Sequence, residues 1–472
     1  MKKKSAIIRQ SLLNKITLIP IKKRGLCLII VLLSQFQYGY SQEQANCFEP
    51  TAQTHLDIGK VSTIMLNAGD MWWDLTQAVY EVPKGSGKHS IFNGGLWLGA
   101  IDDEDNLKVA AQKFRQGGSD FWAGPINNQR LIMDGENQVE NPNYGTTTEE
   151  VCSYYDRHFE VNRNEVLDFI AYNNSTNPEA EFPNYTIPAS IIDYPGNRIH
   201  DNSENVFTGE DSIVQTNPYY NLEVLAPFRD VDGDQFYNPL AGDYPEFNLD
   251  NSIDCSSGNF LSGDQNLWYV FNDVGNTHGE SGSVMAMGLE IQAQAYAFAE
   301  TEIDAIDYTT FYNYKLINRS HQALNEMYFG VNVDADLGDY QDDYVGSNIE
   351  RGLGYTYNGD EDDGSAVGYG ANPPAIGLDF LQGPLADEND GIDNNRDGTI
   401  DEAGERIIMS NFLYYNNDHS VTGFPQSPQG YYNYLKSIWK DNLQLTSCGD
   451  GRNQENPITN FMFADDETNE NC

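Results

Sequence analysis

Basic residues are scarce in this chain and unevenly placed. Lys and Arg number 27 against 71 Asp and Glu, a formal net charge of −44. Eight of the basic residues (Lys2, Lys3, Lys4, Arg9, Lys15, Lys22, Lys23 and Arg24) precede the first acid, Glu43, so residues 42 to 472 carry 19 basic side chains and a formal charge of −52. Such a surface repels nucleic acid and anionic membrane and attracts cations. Cysteine is also sparse. After residue 41 it occurs at Cys47, Cys152, Cys255, Cys448 and Cys472 with no CxxC pair, which argues against a zinc site. HExxH, GxSxG, Walker A and GxGxxG motifs are all missing. Aromatics are not lacking: 29 Tyr, 22 Phe and 6 Trp are too many for a disordered acidic chain.

The N-terminus reads as an export signal. Lys22-Lys23-Arg24 precede the apolar run GLCLIIVLL, and Gly39 and Ser41 place small residues at a cleavage site. The run is shorter than the roughly 20 residues needed to span a bilayer. Residues 1–41 are therefore expected to be a signal peptide cut near Ser41, with no transmembrane segment in the mature chain. Cys27 lies inside the apolar run, so no lipoprotein anchor is expected. In an oxidising compartment the five remaining cysteines allow one or two disulfides and leave at least one cysteine unpaired within the chain.

The mature chain patterns as β-structure. In residues 283–299, Met285, Met287, Leu289, Ile291, Ala293 and Ala295 alternate with Ala286, Gly288, Glu290, Gln292, Gln294 and Tyr296, predicting one buried and one wetter face. Residues 308–318 and 326–336 are aromatic-rich or alternating strands around a polar break, and 90–102 and 106–114 flank the turn DDED. Asn162 with Glu165 resembles a capping box, predicting a short helix near 163–171. These patterns predict a mainly β, antiparallel sandwich or jelly roll with long acidic loops. The expected divisions are a β-rich region over 42–229 and a sandwich-like region over 230–472.

The densest charge lies in DGIDNNRDGTIDE, residues 390–402. Calcium takes six to eight oxygen ligands, and a short loop supplies them when carboxylates alternate and a glycine permits a sharp turn. Asp393, Asn395, Asp397, Thr399 (through its carbonyl) and Asp401 fit positions 1, 3, 5, 7 and 9, with Gly398 at the turn and Ile400 anchoring the loop to the core. Gly404 stands where an EF-hand has its bidentate Glu, so the loop is closer to thrombospondin-type or dockerin-like calcium loops. A second candidate follows Arg229: Asp230, Asp232, Asp234 and Asn238, closed by Asp243 or Glu246. DADLGDYQDD (334–343) and DEDD (360–363) are weaker clusters. Three carboxylates brought together without a cation repel by about 4 kcal/mol per pair at 4 Å. Calcium, in a structural role, is the expected cofactor.

No catalytic residues are predicted. The seven His are scattered, and GESGS (279–283) reads as a loop rather than a serine nucleophile, with no ordered His and Asp partners. Of the six Trp, most are expected in the core, and the rest remain candidates for stacking sugars.

Several longer stretches carry a family likeness: DMWWDL (70–75), YEVPKGSGKHSIFNGGLWLGAID (80–102), KFRQGGSDFWAGP (113–125), LAPFRDVDGDQFYNPLAGDYPE (225–246), GDQNLWYVFND (263–273), DADLGDYQDDYVG (334–346), GYTYNGDEDD (354–363), YGANPPAIGLDFLQGP (369–384) and YYNYLKSIWKD (431–441). On these the chain resembles large secreted proteins of Bacteroidota exported by type IX secretion. The resemblance implies export and a surface or extracellular location, and brings no catalytic residues. Family members continue into a C-terminal sorting domain; here the sequence ends at FMFADDETNENC, so a truncated frame or fragment is expected. Asp211-Ser212-Ile213 resembles that phylum's O-glycosylation site. The resulting expectation is an exported, non-enzymatic calcium-binding protein in adhesion or surface interaction, with an unknown surface ligand for which polysaccharide is a candidate. The alternative is a calcium-dependent carbohydrate-binding protein or glycan-degrading enzyme, which would show a Trp-lined groove with two facing carboxylates.

Overall fold

The computed structural model describes residues 45–134, 137–197, 223–249, 260–299 and 301–465. The expected signal peptide, Asp211–Ile213, Cys255 and Cys472 lie outside them. Every ladder between strands of the described residues is antiparallel, and helices are few and short.

The apolar runs with β-branched and aromatic residues become the central strands. Asn93–Asp102 is the hub of a six-stranded sheet: it pairs with Leu324–Asp334 along one edge, and with Asp70–Met71 and Leu107–Ala111 along the other. Thr63–Leu66 and Gln53–Leu56 extend this sheet outward. A five-stranded sheet orders Phe159–Asn162, Gln265–Asn272, Leu289–Ala297 and Phe311–Asn318, with Trp122–Ala123 on the far end of Gln265–Asn272. These pairings cross the 229/230 boundary in both sheets, so the two expected regions share their sheets, and Glu43–Cys472 forms one compact unit.

Alternation distributes the apolar side chains over three layers of core. Leu96, Leu98 and Ala100 of the first sheet meet Leu267, Tyr269, Phe271, Ile291 and Ala293 of the second in one cluster. On the outer face of the second sheet, Trp268 and Val270 pack against Val166 and Phe169 of the helix Arg163–Asn174 and against Ile191. On the outer face of the first, Trp97, Val109 and Ala111 pack against Tyr431, Tyr432 and Tyr434 of the helix Pro428–Leu435. Helix Arg163–Asn174 starts as predicted: the N–H of Asn162 donates to Glu165 at 3.2 Å.

One expected strand is shorter than predicted. Residues 283–288 are not strand, because Asp273 accepts the N–H groups of Met287 (2.5 Å), Gly288 (3.0 Å) and Leu289 (2.7 Å) and bends the chain, with Gly288 at φ +78°. The expected wetter face of this strand is also covered. Glu290, Gln292 and Gln294 are buried, each with a hydrogen-bond partner: Glu290 accepts from Ile126 N–H (2.9 Å) and pairs with Arg319 (3.3 Å), Gln292 donates to Glu290 (3.0 Å), and Asn266 donates to Gln294 (3.0 Å). Burying such groups without partners costs about 1–3 kcal/mol each.

A disulfide joins Cys47 to Cys152 across 105 residues, and Cys448 is disulfide-bonded too. The first bond pins the start of the described chain to the helix Glu149–Tyr155, with Trp122 packed beside it. Closing a loop of this length is worth about 5 kcal/mol in the chain-entropy account. The double substitution Cys47→Ala/Cys152→Ala is expected to lower unfolding free energy by about that amount, measured by urea denaturation against the oxidised protein.

Candidate metal centre

The loop after Phe228–Arg229 is closed at its base, because that strand pairs with Tyr244–Pro245. The chain between them turns at Gly233 (φ +80°) and Gln235 (φ +69°). Asp230 accepts the N–H groups of Gly233 (2.7 Å) and Gln235 (2.8 Å), and Asp234 accepts that of Phe236 (2.7 Å). Tyr237 anchors the loop. It is buried in the helix-covered core, and its hydroxyl donates to the carbonyl of Ile191 at 2.6 Å. Asp243 comes back from the far end, fully buried, and accepts from Val231 (2.8 Å) and Asn238 (2.9 Å).

The result is a four-carboxylate cluster. Asp230, Asp232, Asp234 and Asp243 each offer an oxygen, and these oxygens lie within 4.8 Å of one another. This donor set could hold a metal ion. Burial pushes the Asp243 carboxyl above the usual carboxylate range, its N–H partners opposing and Asp232 and Asp230 adding to the rise. Burial likewise raises Asp234, with Asp232 and Asp230 again contributing. Asn238 takes another role: its side-chain oxygen accepts from Leu240 N–H at 3.0 Å and caps the short turn Pro239–Ala241.

The loop at 393–401 is assembled differently, although its spacing is as regular. Gly398 provides the expected turn at φ +94°. Asp393 accepts from Asp397 (3.1 Å) and Gly398 (2.9 Å), Asn395 accepts from Asp397 (3.0 Å), and Asp397 accepts from Thr399 (2.8 Å). Asp401 faces the start of the loop, accepting from Gly391 at 3.1 Å. Buried Glu405 closes it, accepting from the N–H groups of Asn394 and Asn395. Ile400 does not anchor the loop in the core; it is 58% exposed. Among the described residues, no three acids of this loop gather their oxygens as closely as the 230–243 group does.

The two weaker clusters meet each other. Burial raises Asp343 to about 6, with Asp342, Asp336 and Asp363 adding to the rise. Buried Asp363 accepts from the N–H groups of Asp339 (3.2 Å) and Tyr369 (2.6 Å). Burial, then Asp336, raises Asp334 to about 7.

A third constellation is not foreseen by sequence. Asp120, His278 and Ser281 come together in the fold, but as a backbone clamp. Asp120 accepts the N–H groups of Ala111 (2.9 Å), Glu280 (2.9 Å) and Ser281 (3.0 Å). Both ring nitrogens of His278 lie 2.8 Å from carbonyl oxygens, of Val109 and Asp273. The Ser281 hydroxyl donates to the Val109 carbonyl at 3.2 Å. The Ser281 hydroxyl is thus bonded to a carbonyl and not to the imidazole, and GESGS serves as a loop. The signal available in sequence was only the run of small residues.

All six Trp are buried, at 1–5% exposure. Comparison with known protein families, with curated proteins and with solved structures finds no match.

Asp334 yields a pH dependence. Its folded pKa is raised, so the fold favours the protonated carboxyl. Stability from this group is therefore present at low pH and is lost as pH rises from the ordinary carboxylate range to about 7. Asp334→Asn is expected to flatten that part of the profile and to stabilise the protein at about pH 8 by roughly 1 kcal/mol or more, read by urea denaturation across pH.

Proposed function

We propose that this chain is an exported, non-enzymatic calcium-binding protein of the cell surface or extracellular space, acting in adhesion or surface interaction. We also propose that it belongs with the large secreted Bacteroidota proteins it resembles. The observation that carries the calcium reading is the convergence of Asp230, Asp232, Asp234 and Asp243. Four hard oxygen donors, without Cys or His among them, suit calcium better than a transition metal. The ion would lock the long loop at 230–243 and add stability by binding only the folded state.

Export is supported by the Cys47–Cys152 bond, since disulfides persist in oxidising compartments. Among the described residues no helix is long and apolar enough to cross a membrane. The two sheets that share a core support the sandwich reading. The carbohydrate-binding or glycan-degrading alternative called for a Trp-lined groove with two facing carboxylates, and the burial of every Trp weighs against a groove of that kind.

Thermal melts of the chain in calcium and in EDTA test the reading. Calcium at a hundredfold excess over its Kd is expected to raise Tm by about 3–5 °C. The double substitution Asp232→Ala/Asp234→Ala, at two exposed positions, should abolish most of that rise. Asp397→Ala reports separately on the second loop. Identical melts with calcium and EDTA would overturn the calcium assignment.

A further inference from the structure

A third sheet offers a face that none of the three cores covers. Strands Asp343–Asn348, Leu353–Asn358 and Ala375–Asp379 pair in that order. Ile376 and Leu378 pack on the central core, so the alternate residues of their strand leave the opposite face. That opposite face carries Tyr344, Tyr355 and Tyr357. Tyr344 and Tyr357 are ladder partners, and their rings stack with centroids 6.0 Å apart at 28°. Tyr355 continues the row, 6.0 Å from Tyr357 at 36°. Tyr344 is 58% exposed and Tyr357 43%.

The floor beneath these rings is glycine. A Cβ on Gly346 would come within 2.4 Å of the Tyr355 ring, and one on Gly359 within 2.5 Å of the Tyr344 ring. The two rings therefore lie down on bare backbone instead of standing off the sheet, which leaves a broad aromatic surface toward water. The cross-strand neighbours are small: Tyr355 lies between Gly346 and Gly377, and Tyr357 faces Ala375 on its outer side.

We infer that this face binds a neutral polysaccharide, whose sugar rings stack on Tyr344, Tyr357 and Tyr355. The C–H face of a pyranose is apolar and fits the face of an aromatic ring, while its hydroxyls remain at the edge for polar partners. Polar partners border the row. Asp465 accepts from Asn348 Nδ2 at 2.6 Å beside the sheet, and Asp379 ends its outer strand. Carboxylates accept from sugar hydroxyls and repel uronate or sulfate groups, and the chain's charge of −44 acts in the same sense. Charge thus disfavours an anionic polysaccharide. A row of rings lying on the sheet is also a platform, suited to an extended chain. The inference names a ligand class for the surface-interaction reading and rests on that reading only in taking binding as the role. It does not depend on calcium, because the tyrosines lie outside the aspartate cluster.

The test is native affinity electrophoresis of the full chain in gels containing hydroxyethylcellulose or galactomannan, both neutral, or alginate, which is anionic. Retardation is expected in a neutral gel and not in alginate. Tyr344→Ala/Tyr357→Ala should weaken it, by about fivefold for each ring removed, with Tm and its calcium response unchanged. Tyr357→Phe should retain binding, because stacking needs the ring and not the hydroxyl. Equal retardation of wild type and the double variant, retardation in alginate, or none in either neutral gel would overturn the inference. A calcium-insensitive melt with binding intact would instead overturn only the calcium reading.

Discussion

The fold depends on carboxylates that bind backbone N–H groups. With 71 acids and 27 bases, most acids cannot find a cationic side chain, yet several are buried. Asp273 holds three consecutive N–H groups, Asp120 holds three from two separate segments, and Asp243 and Asp363 hold two each. Asp156 ties down Thr51 and Ala52 across more than a hundred residues of sequence. Each such contact satisfies loop donors that would otherwise be stranded, and supplies the partial positive charge that the missing bases do not. Where basic residues do enter, they reinforce the same device. Burial pulls Asp102 upward, but the N–H groups of Asn106 and Glu104 with Lys108 outweigh it and hold the carboxyl at about 2.

Compensation is incomplete at Asp70 and Asp273, whose carboxyls burial raises despite their partners, and in two loops rich in Asp. At 230–243 four carboxylates converge, and the N–H groups around them do not prevent Asp234 and Asp243 from being raised. At 334–343 the carboxyls of Asp334 and Asp343 are raised by burial and by their acidic neighbours. The loop at 393–401 shows the other outcome. There the side chains accept from the loop's own backbone and from its Asn residues, and Glu405 closes the turn from outside the repeat. Equal spacing therefore leads to different geometry: both loops are closed by a buried acid, but only Asp243 brings its oxygen within 4.8 Å of those of the other three.

The stacking of layers explains the use of aromatics. Central strands buried on both faces need large side chains on alternate positions, and Trp97 and Trp268 fill the outer cores while Leu96, Leu98, Leu267 and Tyr269 fill the inner one. Tyrosine serves in the cores, at Tyr269, Tyr237 and Tyr431, and also at the surface, where the small third sheet holds its rings against glycine.

Much of this was legible in the residues themselves. Strands Phe311–Asn318 and Leu324–Asp334 lie within a few residues of their predicted limits, because alternation of aromatic and β-branched residues is a local property. The capping pair Asn162 and Glu165 marked its helix, and the spacing of Asp230, Asp232, Asp234 and Asp243 marked the metal candidate. What the sequence did not contain was coverage and distance. Polar alternation at Glu290, Gln292 and Gln294 read as a wet face, yet partners far along the chain bury and satisfy it. Ile400 read as an anchor and faces water. The meeting of Asp120 with His278, and of Asp343 with Asp363, joins segments that have no common local pattern. Local periodicity thus determined the elements and the acidic loops, while the tertiary structure decided which acids converge, because convergence depends on strand pairings between segments far apart in the chain.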